Sequence, residues 1–122
     1  MKRLHDVTIV ITTLGAVILS TLLVAHAADA EQGKKLYGQF CASCHGQSGK
    51  GDGAAAAALN PKPRDHTDKE YMSKMSDDEM LKVIKNGGAS VGKSPLMPPW
   101  GASLKDEQIQ DIIAYIRSLC CT

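Results

Sequence analysis

The sequence predicts an all-α domain, and three observations carry that expectation. Apolar residues recur at helical spacing in three separate stretches. No stretch of useful length alternates apolar and polar residues as a strand would, and clusters of glycine and proline separate the periodic runs. No internal repeat is visible. The 122 residues carry a formal net charge of +1, room for one domain and no imbalance that would draw it to nucleic acid or an anionic membrane.

The chain opens with Lys2 and Arg3, and from Val7 to Ala25 nothing is charged. Ala25-His26-Ala27 and Ala28-Asp29-Ala30 follow, both small-x-small triplets. A basic start, an apolar run and such triplets make a secretory leader, expected over residues 1–30 with cleavage after Ala27 or Ala30. The run is close to the roughly 20 residues of a spanning helix. Its four threonines and one serine, and the triplets at its end, favour cleavage over an uncleaved anchor. The expected destination is the periplasm or an equivalent extracytoplasmic compartment, with membrane attachment only if the leader stays.

In the expected mature domain, residues 31–119, the first helix covers 31–44, with Gly33, Leu36, Tyr37, Phe40, Cys41 and Cys44 on one face. Gly46 to Gly53 is a loop, because four glycines in that stretch stop any regular element. Ala54–Leu59 has room for one helical turn before Pro61 and Pro63. A second helix begins near Met75, where Ser76 and Glu79 have capping-box spacing, and its stripe of Met80, Val83 and Ile84 runs to Gly87-Gly88. Residues 89–103 read as an irregular, stiff loop. The last helix carries Ile109, Ile112, Ile113, Ile116 and Leu119 on one face, and residues 120–122 form a short tail.

So small a domain buries proportionally little surface, and Phe40 and Trp100 are the only Phe and Trp. Something other than side chains is expected to fill its middle. Cys41-Ala42-Ser43-Cys44-His45 says what. Two thiols three apart share a helix face and can reach two vinyl groups on one porphyrin edge, and the histidine that follows is carried beneath the ring to bind iron. One covalent haem c is the expectation. A redox dithiol wants a βαβ setting that this chain lacks, and a zinc site would need Cys120-Cys121, whose adjacency fits a tetrahedron poorly.

The expected sixth ligand is Met97, in Pro95-Leu96-Met97-Pro98-Pro99-Trp100-Gly101, where three prolines limit backbone freedom before the thioether binds. Met80 reads as core, Met72 and Met75 as lining its approach, and His66 as a surface histidine or, alternatively, the second ligand of a bis-histidine haem. With both axial positions filled there is no open site, so the expectation is a one-electron carrier and not an enzyme.

From Gly33 to Leu119 the chain resembles class I bacterial cytochromes c, on Gly33 and Tyr37, Cys41-x-x-Cys44-His45, Gly49-Lys50-Gly51-Asp52-Gly53, Asn60-Pro61, Met97-Pro98-Pro99-Trp100-Gly101 and Ile113-Ala114-Tyr115-Ile116-Arg117. The resemblance implies three main helices and loops wrapped round the haem, covalent attachment outside the cytoplasm, and Gly33 and Tyr37 packed against the terminal helix near Tyr115. It also implies a proline carbonyl as acceptor for His45, with Pro61 the candidate and Pro63 its rival. Trp100 and Arg64 are candidate donors to the propionates, packing and solvent being their alternatives. Two features depart from the pattern. Lys105 replaces the usual Ser or Thr cap, so the last helix is expected to fray at its start. Cys120-Cys121 has no counterpart and implies either a disulfide dimer through one of them or a vicinal bridge.

Gly87 to Ser94 satisfies the phosphate-loop expression GxxxxGK[ST], but a helix precedes it and Pro95 follows, so the match is coincidence. The expected partners are redox proteins docking transiently at the haem edge. The alternatives are a haem-bearing subunit of a larger oxidoreductase and a five-coordinate haem enzyme or gas sensor.

Overall fold

Apolar helix faces of this small domain have only one another to pack against, and the result is a helical shell around a central hollow. The computed structural model describes residues 26–122; Lys2, Arg3 and the apolar run through Ala25 lie outside the described residues. The elements are α1 (Ala30–Phe40), α2 (Ala42–His45), a 3₁₀ turn at Ala56–Ala58, α3 (Lys69–Met72), α4 (Asp77–Asn86), a second 3₁₀ turn at Gly88–Val91, and α5 (Asp106–Cys120). Among the described residues no strand forms, and no helix is long and apolar enough to cross a membrane.

Asp29 starts α1, its side chain accepting from the Glu31 and Gln32 amides. The expected single helix over 31–44 is two: the chain turns at Cys41 (φ −116°, ψ −34°), which closes α1 and opens α2. The break re-aims Cys44 and His45 away from the line of α1. Ser76 caps α4 through the Glu79 amide at 3.1 Å. The return bond of a full capping box is replaced, because the Glu79 carboxylate pairs with Lys93 at 3.3 Å. The expected fraying of α5 is offset by Gln108, whose side-chain carbonyl accepts from the Lys105 amide at 3.0 Å. That helix also runs through Cys120, one residue into the stretch read as tail.

The core lies where α1, α4 and α5 meet. Ile109 and Ile112 are fully enclosed, with Leu36, Tyr37, Met72, Met80, Ile84 and Leu104 around them. Tyr37 packs edge-on against Tyr115 with centroids 5.2 Å apart, as the family resemblance implies. Arg117, which periodicity alone leaves unassigned, ties the α3–α4 corner to α5. Its guanidinium donates to the Met72 and Met75 carbonyls and pairs with Asp77 at 2.8 Å. Cys120 and Cys121 are bridged to each other, so the vicinal alternative holds and neither thiol is available for an interchain disulfide.

Gly33 sets the distance between α1 and α5. A Cβ there would stand 1.8 Å from the Asp111 carbonyl oxygen and 2.4 Å from its carbon, backbone atoms that cannot step aside. Gly33→Ala should therefore cost roughly 3 kcal/mol of stability through forced separation of the helices. The loss is read as a fall in the urea midpoint at unchanged slope; an unchanged midpoint would show that the crossing is looser than this.

Candidate haem site

The turn at Cys41, the proline-rich stretch 61–64 and the loop after α4 enclose one cavity of about 360 Å³. Cys41, Cys44, His45, Met97 and Pro98 line it, and Met72, Met75, Met80, Val83, Ile84 and Ile116 supply much of its apolar lining. The sequence-predicted residues Pro61, Arg64 and Trp100 also border it. Cys41 and Cys44 are free thiols, and burial, with Cys44 nearby, pushes the Cys41 pKa up to about 12, so it stays protonated. Among the described residues there is no cluster of three or more His, Cys, Asp or Glu side chains placed to hold a metal ion.

His45 is held by its ring. Its Nδ1–H donates to the Arg64 carbonyl at 2.9 Å, leaving Nε2 as the nitrogen with a free lone pair. Burial lowers its pKa, partly countered by that hydrogen bond, and this keeps the imidazole neutral and able to ligate. The acceptor is thus neither Pro61 nor the rival Pro63. The His66 amide donates to the Gly49 carbonyl at 2.6 Å and fixes this stretch alongside the haem-motif loop, which brings the Arg64 carbonyl to the ring.

His66 is not the surface residue the sequence suggests. Its ring stacks on that of His45 with centroids 4.2 Å apart and planes 15° from parallel, and its Nδ1 lies 2.9 Å from the Tyr37 hydroxyl. Two imidazoles stacked face to face lie on the same side of the cavity, so this arrangement does not offer His66 as a ligand opposite His45. Burial, reinforced by His45, lowers its pKa to about 3. The sequence signal that could have found it is weak: a lone histidine between Asp65 and Thr67 looks solvated.

The loop carrying Met97 is pinned to the end of α4. The Trp100 and Gly101 amides donate to the Ile84 and Lys85 carbonyls, both at 2.9 Å, and so satisfy acceptors that a helix C-terminus leaves open. The Gly88 amide donates to the Met97 carbonyl at 3.0 Å. A Cβ on Gly88 would sit 2.2 Å from the Ser94 carbonyl oxygen and 3.2 Å from the Met97 Cβ. The glycine pair that mimics a phosphate loop is therefore what allows the methionine loop to lie close. Trp100 meets Phe40 edge-on at 5.4 Å. Arg64 lies 3.7 Å above the Tyr71 ring, and Lys93, which sequence reasoning passed over, reaches the Tyr71 hydroxyl at 3.1 Å. Two cations that line the cavity thus meet at Tyr71.

Residues 28–116 match the family described as cytochrome c oxidase, cbb3-type, subunit III. The chain belongs to this cytochrome c family. The cytochrome is 31% identical to the cbb3-type cytochrome c oxidase subunit CcoP of Azospirillum brasilense, over 76% of this chain and 29% of that one. It therefore spans less than a third of that relative. It is 34% identical to cytochrome c-554(547) of Halothiobacillus neapolitanus over 76% of this chain and 99% of the other. With cytochrome c6 of Thermosynechococcus vestitus it shares 30% over 83% and 80%. A solved structure, KustC0563 c-type cytochrome, superposes with a TM-score of 0.59 at 26% identity, covering 72% of this chain and 96% of that chain. The fold is accordingly the all-α cytochrome c fold and the cofactor is covalently bound haem c. The residues present fit that group: the free thiols of Cys41 and Cys44, the His45 imidazole and the Met97 thioether border one largely apolar cavity that Arg64 and Lys93 also line.

Two outcomes follow from this geometry. Gly88→Ala should displace the Met97 loop and lower stability by roughly 2 kcal/mol, read from denaturant unfolding. For His66 the folded pKa lies below the unfolded value near 6.5, so its contribution is complete above about pH 6.5 and is lost as pH falls toward 3. His66→Phe should flatten the stability–pH curve in that window by up to about 1.4 kcal/mol per pH unit. An unchanged slope would mean the ring is solvated.

Proposed function

We propose that this cytochrome is an exported carrier of single electrons, its haem joined through thioethers to Cys41 and Cys44 and its iron ligated by His45 and Met97. The observation that carries the reading is convergence: Cys41, Cys44 and His45 border one cavity with Met97, which lies more than fifty residues further along the sequence. The bound haem supplies reversible one-electron chemistry between its ferric and ferrous states. The protein's part is to hold and tune it. His45 is oriented by the Arg64 carbonyl and backed by His66, so its ring cannot turn freely. Met97 sits in a loop anchored before it enters any bond, and a thioether favours the ferrous state relative to a second imidazole. The aliphatic wall excludes water. Arg64 and Lys93 supply positive charge for the propionates, with Trp100 as a further donor.

If His45 and Met97 both held the iron, no open position would be left for substrate, which supports a carrier over an enzyme or gas sensor. The partners are then redox proteins that dock transiently at the haem edge, and the compartment is the periplasm or its equivalent, reached through the leader over residues 1–30. A second reading, a haem subunit of a larger oxidoreductase, is favoured by the match to an oxidase subunit much longer than this chain. Native gel filtration of material from the source cell separates the two: a carrier elutes alone.

Co-expression with haem-attachment machinery should give a coloured protein heavier than its polypeptide by one haem. Met97→Ala should lower the reduction potential and abolish the weak red absorption band of Met-bound ferric haem. If the band survives, Met97 is not the ligand. Ready carbon monoxide binding by the reduced wild-type protein would overturn six-coordination.

A further inference from the structure

Asp111 is the charged residue that the core encloses, 4% exposed at the crossing of α1 and α5. A carboxylate so placed needs donors, and losing one partner of a buried charge is strongly destabilising. Two donors among the described residues reach its Oδ1: the Asp29 amide at 2.8 Å and His26 Nε2 at 2.9 Å. Both come from the stretch where the two leader-cleavage sites fall. The two sites leave different molecules behind.

We propose that export-linked cleavage falls between Ala27 and Ala28, and that the new α-ammonium of Ala28 takes the place of the His26 imidazole beside Asp111. In the hydrolysis the Ala27–Ala28 amide breaks, water adds its hydroxyl to the Ala27 carbonyl carbon, and the departing nitrogen is protonated to the ammonium. A cut after Ala30 would remove His26 and Asp29 together. That would strip both donors from Asp111 and remove the side chain that caps α1 through the Glu31 and Gln32 amides. A cut after Ala27 keeps Asp29 with its cap and its bond to Asp111. It removes only the imidazole.

The replacement is geometrically close. Successive backbone nitrogens are separated by roughly 3 to 3.7 Å, so the Ala28 nitrogen stands next to the Asp29 amide that already touches Oδ1. Ala28 also borders a small hollow between α4 and α5, lined in addition by Asp77, Asp78 and Leu81. Asp77 is already paired with Arg117, which leaves Asp78 as the further carboxylate bordering that hollow. The family match, too, begins at residue 28. His26 and Ala27 are exposed, and the only bond recorded for either side chain among the described residues is the one from His26 to Asp111.

The inference rests on export but not on the haem ligands, so the holoprotein's colour and its N-terminus report separately. The chain with its native leader is expressed with haem-attachment machinery, recovered from the extracytoplasmic fraction, and examined by intact mass and N-terminal sequencing. A chain beginning at Ala28 is expected. One beginning at Glu31 overturns the site, and an uncut chain overturns both the site and the cleaved leader. The pairing is then read by acylating the α-amine near pH 7, where it reacts ahead of lysine. Native wild-type protein should label on the order of tenfold more slowly than the same protein unfolded in urea, as expected for one pKa unit of protection. Asp111→Asn should abolish most of that difference. Equal native and unfolded rates in the wild type overturn the ion pair even if Asp111→Asn fails to accumulate.

Discussion

The close approach of α1 to α5 at Gly33 is the constraint from which the rest of the domain is laid out. The glycine meets the backbone of Asp111 with no room for a methyl group, and Tyr37 closes against Tyr115 one turn further along. This fixes where α1 ends, and the turn at Cys41 begins from that point. Because α2 has only one turn and no side-chain cap of its own, the position of Cys44 and His45 is inherited from the helix crossing and from the loop behind them. On the other side α5 carries Arg117, whose guanidinium holds the α3–α4 corner and with it the methionine-lined wall. The two crossing helices also reach the cavity themselves, through Phe40 of α1 and Ile116 of α5.

The three longer helices were legible because their determinants are local. The isoleucine stripe from Ile109 to Ile116 has the period of a helix and lies buried throughout, and Ser76 caps α4 at the residue where the spacing places it. The cavity-facing residues Cys41, Cys44, His45 and Met97 were legible because motif and proline context mark them, and all four border one space. What escaped the sequence depends on distant backbone. The acceptor for His45 is the carbonyl of Arg64, an atom every residue possesses, so side-chain identity could not select it over Pro61 or Pro63. The break at Cys41 leaves the apolar period intact and so left no trace in it. His66 sits in a polar stretch and is drawn inward by Tyr37 and His45, neither of which is its sequence neighbour. The short α3 depends on Asp68 accepting from the Tyr71 amide, too small a signal to stand out among charged neighbours.

The glycines after α4 illustrate how one pattern can serve an unrelated purpose. In a phosphate loop such residues let backbone amides face an anion. Here Gly88 turns its amide to the carbonyl of Met97, and the empty side-chain space is filled by Ser94 and the methionine itself. The lysine of the same pattern faces Tyr71 and Glu79, and the hydrogen bond it donates to the Tyr71 hydroxyl, more than the one to Glu79, raises its pKa. The fold shows that the segment has a task of its own, as the seat of the loop that carries Met97.

The bridge between Cys120 and Cys121 bears on selectivity during maturation. The sequence holds four cysteines, and two of them are spent on each other at the end of α5. The free thiols that remain are those of Cys41 and Cys44, both at the cavity. A thiol-seeking alkene brought to the oxidised chain therefore meets a single pair of candidates, and misdirected addition at the other two cysteines is closed off by their bridge instead of by shape.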